Sequence, residues 1–390
     1  MIVRLKPGRE GPVRAGHPWI FSGAIARIEG KEPPGALALV VSADGTPIGT
    51  GYVNPRCSIT VRLLTWQDEA IDASFIRRRM GAAFALRHET LPPHTTGYRL
   101  INGEGDFLPG LVVDVYGDFL VCQFLTAGAE RLKSLVVEEL AALFAPRGIY
   151  EKSEGSVRHE EGLQNIAGVL WGQEPPTLVM IEENGCHFCV QLQGGQKTGF
   201  FLDQRDNRAL VGTIAAGKQM LNGFSYSGGF GVVAAKQGAQ RVVSVDSSAT
   251  ALQLARHNWR RNDLLQGGGE FRQADMFAYL RETHEFFDLI VLDPPPFIRR
   301  RQDVQAGLKG YKEINLQALR LLPSGGHLFS FSCSQHLSVQ DFLQTVLFAA
   351  ADARRPVQLL RHLGPGADHP INLAHGEGPY LKGVWLRMGA

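Results

Sequence analysis

Cysteine is scarce and scattered in this chain: five residues in 390, at positions 57, 122, 186, 189 and 333, odd in number and in no disulfide-like array. That excludes a disulfide-stapled scaffold and points to a reducing, cytoplasmic setting. Cys186-His187-Phe188-Cys189 has C-x-x-C spacing, but the segment reads as a strand, and strand residues three apart face opposite ways. No second Cys/His pair stands nearby to complete a tetrahedral site, so no metal is expected. Long apolar runs are missing as well. None approaches the roughly 20 residues of a membrane span, and Met1 to Glu10 carries Arg and Lys without an apolar signal core. A strong charge bias is also lacking. With a net charge of +2, nucleic-acid affinity has to come from local basic patches. The sequence holds no internal repeat and no low-complexity tract.

Hydrophobic residues make up 44% of the chain and charged residues 20%, the balance of a globular protein long enough for two or three cores. Three regions separate by pattern. Residues 1–72 carry β-branched runs at Ala36 to Val41, Ile48 to Val53 and Ser58 to Leu64, punctuated by Asp44-Gly45 and Asn54-Pro55, which predicts a small β-rich domain. Residues 73–190 mix helices (Ser74 to His88, Ala129 to Phe144) with strands (Leu111 to Val115, Phe119 to Phe124, Gly148 to Lys152), a central α+β domain. Residues 191–390 alternate strand and helix: Gln219 to Asn222, Gly229 to Lys236, Arg241 to Asp246, Ala249 to Arg261, Phe271 to Ala274, Leu289 to Asp293 and Gly326 to Ser332. Such alternation predicts an α/β, Rossmann-like domain with a mostly parallel sheet, and Pro379 to Arg387 is expected to close it as an antiparallel edge.

Two segments in this last region carry chemistry. Asp293-Pro294-Pro295-Pro296-Phe297 and Ser332-Cys333-Ser334 each follow an apolar strand-like run. On parallel strands they open at the carboxyl edge, where ligands bind in open α/β folds. A carboxylate beside a rigid proline turn and an aromatic ring can hold a flat heterocycle, and a neighbouring cysteine can attack it. Upstream, Leu221-Asn222-Gly223-Phe224-Ser225-Tyr226-Ser227-Gly228-Gly229-Phe230-Gly231 is a glycine-rich passage from strand into helix, open to close ligand approach. Asp246, followed by Ser247, ends the next strand, where a carboxylate binds ribose hydroxyls. Asp275 follows the third strand, placed for an adenine amine while Met276 packs on the ring. NAD and S-adenosylmethionine (SAM) both fit a strand–loop–helix of this kind. The dinucleotide fingerprint is met poorly, because Gly229 and Gly231 lack the third glycine at its offset, and SAM is the expected cofactor.

Lys197 to Arg208, Asn222 to Gly229, Asp293 to Phe297 and Ser332-Cys333-Ser334-Gln335-His336-Leu337 together resemble the bacterial 23S rRNA cytosine-C5 methyltransferases of the RlmI type. Gly16 to Gly23 is similar to the PUA domain that opens that family, Asn102 to Leu111 to the start of its central domain, and Glu377 to Gly383 to its terminal motif. The likeness spans nearly the whole chain. It implies a class I SAM-dependent methyltransferase acting on ribosomal RNA, and a homodimer. It also implies that Cys333 adds to C6 of cytosine while Asp293 holds the N3 and amino edge and Phe297 stacks. Asn222, Phe224, Ser225, Tyr226, Ser227, Gly228, Gly229, Asp246, Ser247, Asp275 and Met276 are the expected SAM contacts. Gln204 and Arg205 either reach the methionine end of SAM or belong to a helix start capped by Asp203. Pro294, Pro295 and Phe297, with Arg299 and Arg300 on flanking phosphates, form the expected RNA side. Arg77 to Arg79 and Arg256 to Arg261 read as solvated helix faces. Two alternatives remain at this level: methylation of a base nitrogen (guanine N7 or the adenine amine), and a non-catalytic RNA-binding assembly factor.

Overall fold

The computed structural model describes residues 1–194, 198–264 and 268–389. Lys197, at the head of one quoted motif, lies outside the described residues. The chain divides into two compact units, one of Met1–Val179, Val190–Phe200 and Ala367–Gly378, the other of Met180–Cys189, Phe201–Gly366 and Pro379–Ala390. No helix among the described residues is long and apolar enough to cross a membrane.

The first unit holds two sheets. A six-stranded sheet runs in the order Trp19–Phe21, Ile59–Thr65, Pro47–Val53, Ala36–Val41, Ile2–Leu5, Ile25–Glu29 around a core of Val3, Leu5, Ile20, Val40, Val53 and Val61. Its three central runs are the ones expected. The strands Ile2–Leu5, Trp19–Phe21 and Ile25–Glu29 are only three to five residues long and too short for a period-2 signal. A five-stranded sheet follows, ordered Ile166–Gly172, Gly148–Ser153, Phe119–Phe124, Leu111–Tyr116, Gly97–Asn102. Helices Ala73–Thr90 and Lys133–Phe144 bury Phe75, Ile76, Met80, Val136 and Leu140 in the same core as Leu120 and Phe124. Asp72 caps the first of these helices, accepting from the Phe75 N–H at 3.0 Å.

The Asn102-to-Leu111 motif owes its shape to a buried ion pair. Arg87, 1% exposed, donates from Nη1 and Nη2 to the Asp106 carboxylate at 2.5 and 2.7 Å. The same carboxylate accepts the Asn102 N–H at 2.6 Å, and Phe107 closes the turn in the left-handed region at φ 59°. Removing one partner would leave a charge buried without its counterpart. Arg87→Leu is therefore expected to cost about 3–5 kcal/mol, read as a fall in the denaturant midpoint.

The second unit is built on a seven-stranded sheet. Its strands are β1 (Gln219–Gly223), β2 (Arg241–Asp246), β3 (Gly269–Gln273), β4 (Leu289–Leu292), β5 (His327–Ser332), β6 (Val357–Leu363) and β7 (Lys382–Met388), in the order β3-β2-β1-β4-β5-β7-β6. β1 to β5 are mutually parallel and β7 is antiparallel to both β5 and β6. Helices α1 (Arg205–Thr213), α2 (Gly229–Lys236), α3 (Ala249–Arg261), α4 (Met276–Glu282), α5 (Val304–Arg320) and α6 (Val339–Ala353) complete the unit. All four residues of β4 are buried, as in a strand covered on both faces.

Three expectations change in detail. β3 starts at Gly269 and ends at Gln273, ahead of the expected Phe271 to Ala274. The C-terminal strand begins at Lys382, after Pro379, and is not the edge of the sheet: β6 lies outside it. β6 exposes Gln358 to His362 without alternation, so it carries no buried-strand pattern to detect. The C-x-x-C segment forms the strand expected of it, the second arm of a hairpin whose turn residues Asn184 and Gly185 both take positive φ, at 52° and 71°. It docks on α3, where Asn262 Oδ1 accepts the His187 N–H and Asn258 Oδ1 the Cys189 N–H, each at 2.8 Å.

Candidate active site

Parallel pairing puts the ends of β1, β2, β4 and β5 at one carboxyl edge, and the chemically loaded residues stand there. After β1 the chain makes a strained loop. Phe224 and Tyr226 both take left-handed backbone, at φ 56° and 44°, a conformation that costs about 1–3 kcal/mol per non-glycine residue. Asp246 holds the loop in that state: its Oδ2 accepts the Tyr226 N–H and its Oδ1 the Ser248 N–H, both at 2.8 Å. Ser225 N–H donates to the Val245 carbonyl at 3.0 Å, and Asn258 Nδ2 to the Ser227 carbonyl at 3.0 Å. Strain of this kind persists where the surroundings over-determine it, and here two neighbouring elements do so.

The loop fits a bound nucleoside. Ser225 Oγ is buried and has no hydrogen-bond partner among the described residues. Gly228 caps α2 at φ 83° without a side chain, leaving the first N–H groups of that helix open toward the loop. A Cβ at Gly228 would stand 3.0 Å from that of Ala255. Gly228→Ala is thus expected to cost about 1–2 kcal/mol through its left-handed backbone and to weaken S-adenosylhomocysteine binding in calorimetry.

The other expected SAM contacts occupy several positions. Asn222 is buried and directs its amide to Ser244 Oγ at 3.5 Å, inside the sheet, where it supports the loop. Met276 is buried and packs under Gly223, its Sδ 3.1 Å from where a Cβ there would sit. Asp275 caps α4, its Oδ1 accepting the Ala278 N–H at 3.0 Å, while Ser247 is exposed. Gln204 and Arg205 are buried at the start of α1; Gln204 Oε1 accepts from Asn207 at 2.6 Å, and its Nε2 has no partner among the described residues. Asp203 is not a side-chain cap for α1. Its Oδ2 instead accepts the Tyr380 hydroxyl at 2.6 Å.

Farther along the same edge, β4 and β5 run in register with Leu292 opposite Ser330, so the Asp293 turn and Cys333 emerge together. The Cys333 Sγ lies 3.8 Å from the Pro294 carbonyl oxygen, and its side chain is half-buried. Tyr311, from α5, fixes the cysteine turn. Its hydroxyl accepts from Ser332 Oγ at 2.8 Å and shares a hydrogen bond with Ser334 Oγ at 2.9 Å. Burial pushes that phenol up from its ordinary value. Ser334 Oγ also accepts the Ile298 N–H at 3.2 Å, tying the cysteine turn to the proline turn. Phe297 is half-buried among aromatic rings, with centroids 4.6 Å from Tyr311, 5.5 Å from Phe277 and 6.3 Å from Phe224. Pro294 is buried, whereas Pro295, Arg299 and Arg300 are exposed beside it.

Two residues that build this site carried no expected role. Tyr311 is one of 17 residues in α5, and helical periodicity marks it only as a core position. Lys382 lay inside the quoted terminal motif, but its place depends on β7 inserting next to β5.

Similarity to known proteins agrees with this geometry. The profile of the S-adenosylmethionine-dependent methyltransferases matches residues 99–359, and that of a PUA-like domain residues 3–66. Proteins named ribosomal RNA large subunit methyltransferase I are 44% identical over 99% of both chains in Shewanella denitrificans and 44% identical over 98% of both in Photobacterium profundum. A Streptococcus mutans structure described as a candidate SAM-dependent methyltransferase superposes with a TM-score of 0.85 at 24% identity, over 99% of this chain and 100% of that one. A candidate methyltransferase solved with S-adenosylhomocysteine gives 0.85 at 25% identity over 99% of both. With its parallel sheet, strained loop and carboxylate-bearing strand ends, the chain belongs to the S-adenosylmethionine-dependent methyltransferases, in the family whose curated members are named ribosomal RNA large subunit methyltransferase I.

Proposed function

We propose that this enzyme methylates C5 of a cytosine in 23S ribosomal RNA through a covalent adduct to Cys333. The observation that carries this reading is the Cys333 thiol on the β5 end, 3.8 Å from the Pro294 carbonyl of the turn that Asp293 opens. The names of its relatives supply the RNA class. The PUA-like fold of the first unit suits RNA recognition, and Arg299 and Arg300 suit the phosphates that flank an extruded base. A homodimer and a cytoplasmic place of action belong to the same proposal.

Cytosine C5 is a weak nucleophile until something adds across the 5,6 double bond. The Cys333 thiolate attacks C6, an S–C6 bond forms, and the displaced electron pair moves toward C5 and N3. Asp293 hydrogen-bonds the N3 and amino edge and stabilises the protonated ring. SAM, when bound, supplies a methyl group on an electrophilic sulfonium. Transfer of that methyl to C5 would break its bond to sulfur and leave S-adenosylhomocysteine; loss of the C5 proton to water then restores the 5,6 double bond as the C6–S bond breaks and the Cys333 thiolate leaves. Tyr311, Ser332 and Ser334 hold the cysteine turn throughout, so the nucleophile is presented without reorganisation.

Unmodified 23S rRNA incubated with the enzyme and methyl-labelled SAM, then digested to nucleosides, is expected to yield labelled 5-methylcytidine. Label in a guanosine or adenosine derivative would overturn the cytosine reading and leave cofactor and fold standing.

A further inference from the structure

Lys382 is 3% exposed, yet among the described residues its ammonium has the Ser334 carbonyl and no carboxylate as partner. A buried ammonium without a counter-charge costs several kcal/mol, so its retention calls for a partner. Lys382 opens β7 directly across from Ser332, the residue before Cys333. Its Nζ donates to the carbonyl of Ser334, the residue after Cys333, at 2.7 Å. The amine is thus anchored to the backbone on one side of the thiol and paired across the sheet on the other. Three observations coincide here: burial, a tether to the cysteine turn, and the lack of a carboxylate. We infer that Lys382 is a positioning residue for methyl transfer, whose ammonium holds Cys333 as the thiolate that attacks the base.

The inference deepens the cysteine-adduct proposal and rests on it for its catalytic meaning, though the inferred ion pair itself needs no RNA. The ionisable groups at this place are Cys333 at the β5 end, Tyr311 from α5 and Asp293 at the end of the adjacent β4. No charged side chain of β6 stands opposite Lys382; the nearest pairing there is Leu363 with Gly383. Burial pulls the Lys382 amine down to about 8, and the charge of Cys333 acts in the other direction. The ammonium is therefore present below about pH 8 and lost above it. In that window an adjacent positive charge lowers a thiol from its ordinary value of about 8.5. The thiol proton leaves to solvent, the ammonium keeps its own protons, and no other reagent is required.

The test measures iodoacetamide alkylation of Cys333 against pH in the full-length protein, with Cys333→Ala subtracting the other cysteines. Lys382→Met is expected to raise the midpoint by at least one pH unit, which slows modification at pH 7 about tenfold. Lys382→Arg is expected to keep the wild-type profile within about threefold. An unchanged profile in a Lys382→Met protein that melts and binds S-adenosylhomocysteine like the wild type would overturn the inference. Should Lys382→Met fail to fold, the carbon-13 titration of Lys382 Cε in wild type and Cys333→Ala decides. A midpoint that falls when the thiol is removed supports the pair, and one that does not move refutes it. Because neither assay uses RNA, their failure is distinguishable from a wrong nucleobase, which only the labelled nucleoside reveals.

Discussion

Cys333→Ala is expected to lower formation of labelled 5-methylcytidine by at least about a thousandfold while leaving SAM binding intact. The magnitude follows from the chemistry: without addition at C6 there is no nucleophilic carbon at C5, and no second pathway through the same pocket replaces it. The substitution is structurally mild. The Cys333 side chain is half-buried, and the clamp on its turn is made by Ser332, Ser334 and Tyr311. A loss of turnover would therefore report lost chemistry. The rival transfer to a base nitrogen needs the carboxylate and proline turn but no thiol. Calorimetry with S-adenosylhomocysteine and identification of the labelled nucleoside separate the cases: full turnover in Cys333→Ala would eliminate the covalent adduct.

The elements legible in the sequence were those with strong local signals. β2, β4 and β5 are dense in branched and aromatic apolar residues, while β1 (Gln-Met-Leu-Asn-Gly) is marked by the glycine-rich passage that follows it, so the sequence order of these strands and their carboxyl-end residues could be anticipated. Asp246 and Cys333 could be singled out in the sequence because the first ends such a strand and the second follows one. Pairing across the sheet was not legible. Nothing local tells that β7 inserts beside β5 and leaves β6 at the edge, and with that insertion the place of Lys382 stayed hidden. The role of Asn222 shows the same limit. An amide at a strand end suggests a ligand contact, and only the pairing of the strands shows that its Nδ2 also lies 3.5 Å from Ser244 Oγ. The left-handed backbone of Phe224 and Tyr226 was equally out of reach, because aromatic residues favour no such conformation and the contacts that hold the loop come from Asp246, Val245 and Asn258 on neighbouring elements.

Asp246 and Asp293, two carboxylates at strand ends of one sheet, are expected to fail in opposite ways. Asp246 binds two backbone N–H groups, one of which maintains the strained loop at Tyr226. A charge-assisted hydrogen bond contributes about 1.5–3 kcal/mol, and Asp246→Ala also releases the strain that shapes the loop. SAM affinity should fall about a hundredfold or more, and part of the lost turnover should return at high cofactor concentration. Asp293 stands just beyond β4, at the turn proposed to bind the base. Asp293→Asn keeps the shape and a hydrogen bond but cannot manage the proton at N3. Its turnover should fall by about a hundredfold or more and stay low at saturating SAM, with cofactor affinity within about twofold of wild type. Initial rates against SAM concentration, paired with calorimetry, separate the two. If Asp293→Asn lost cofactor affinity while Asp246→Ala kept it, cofactor and base sites would have to be exchanged along the carboxyl edge.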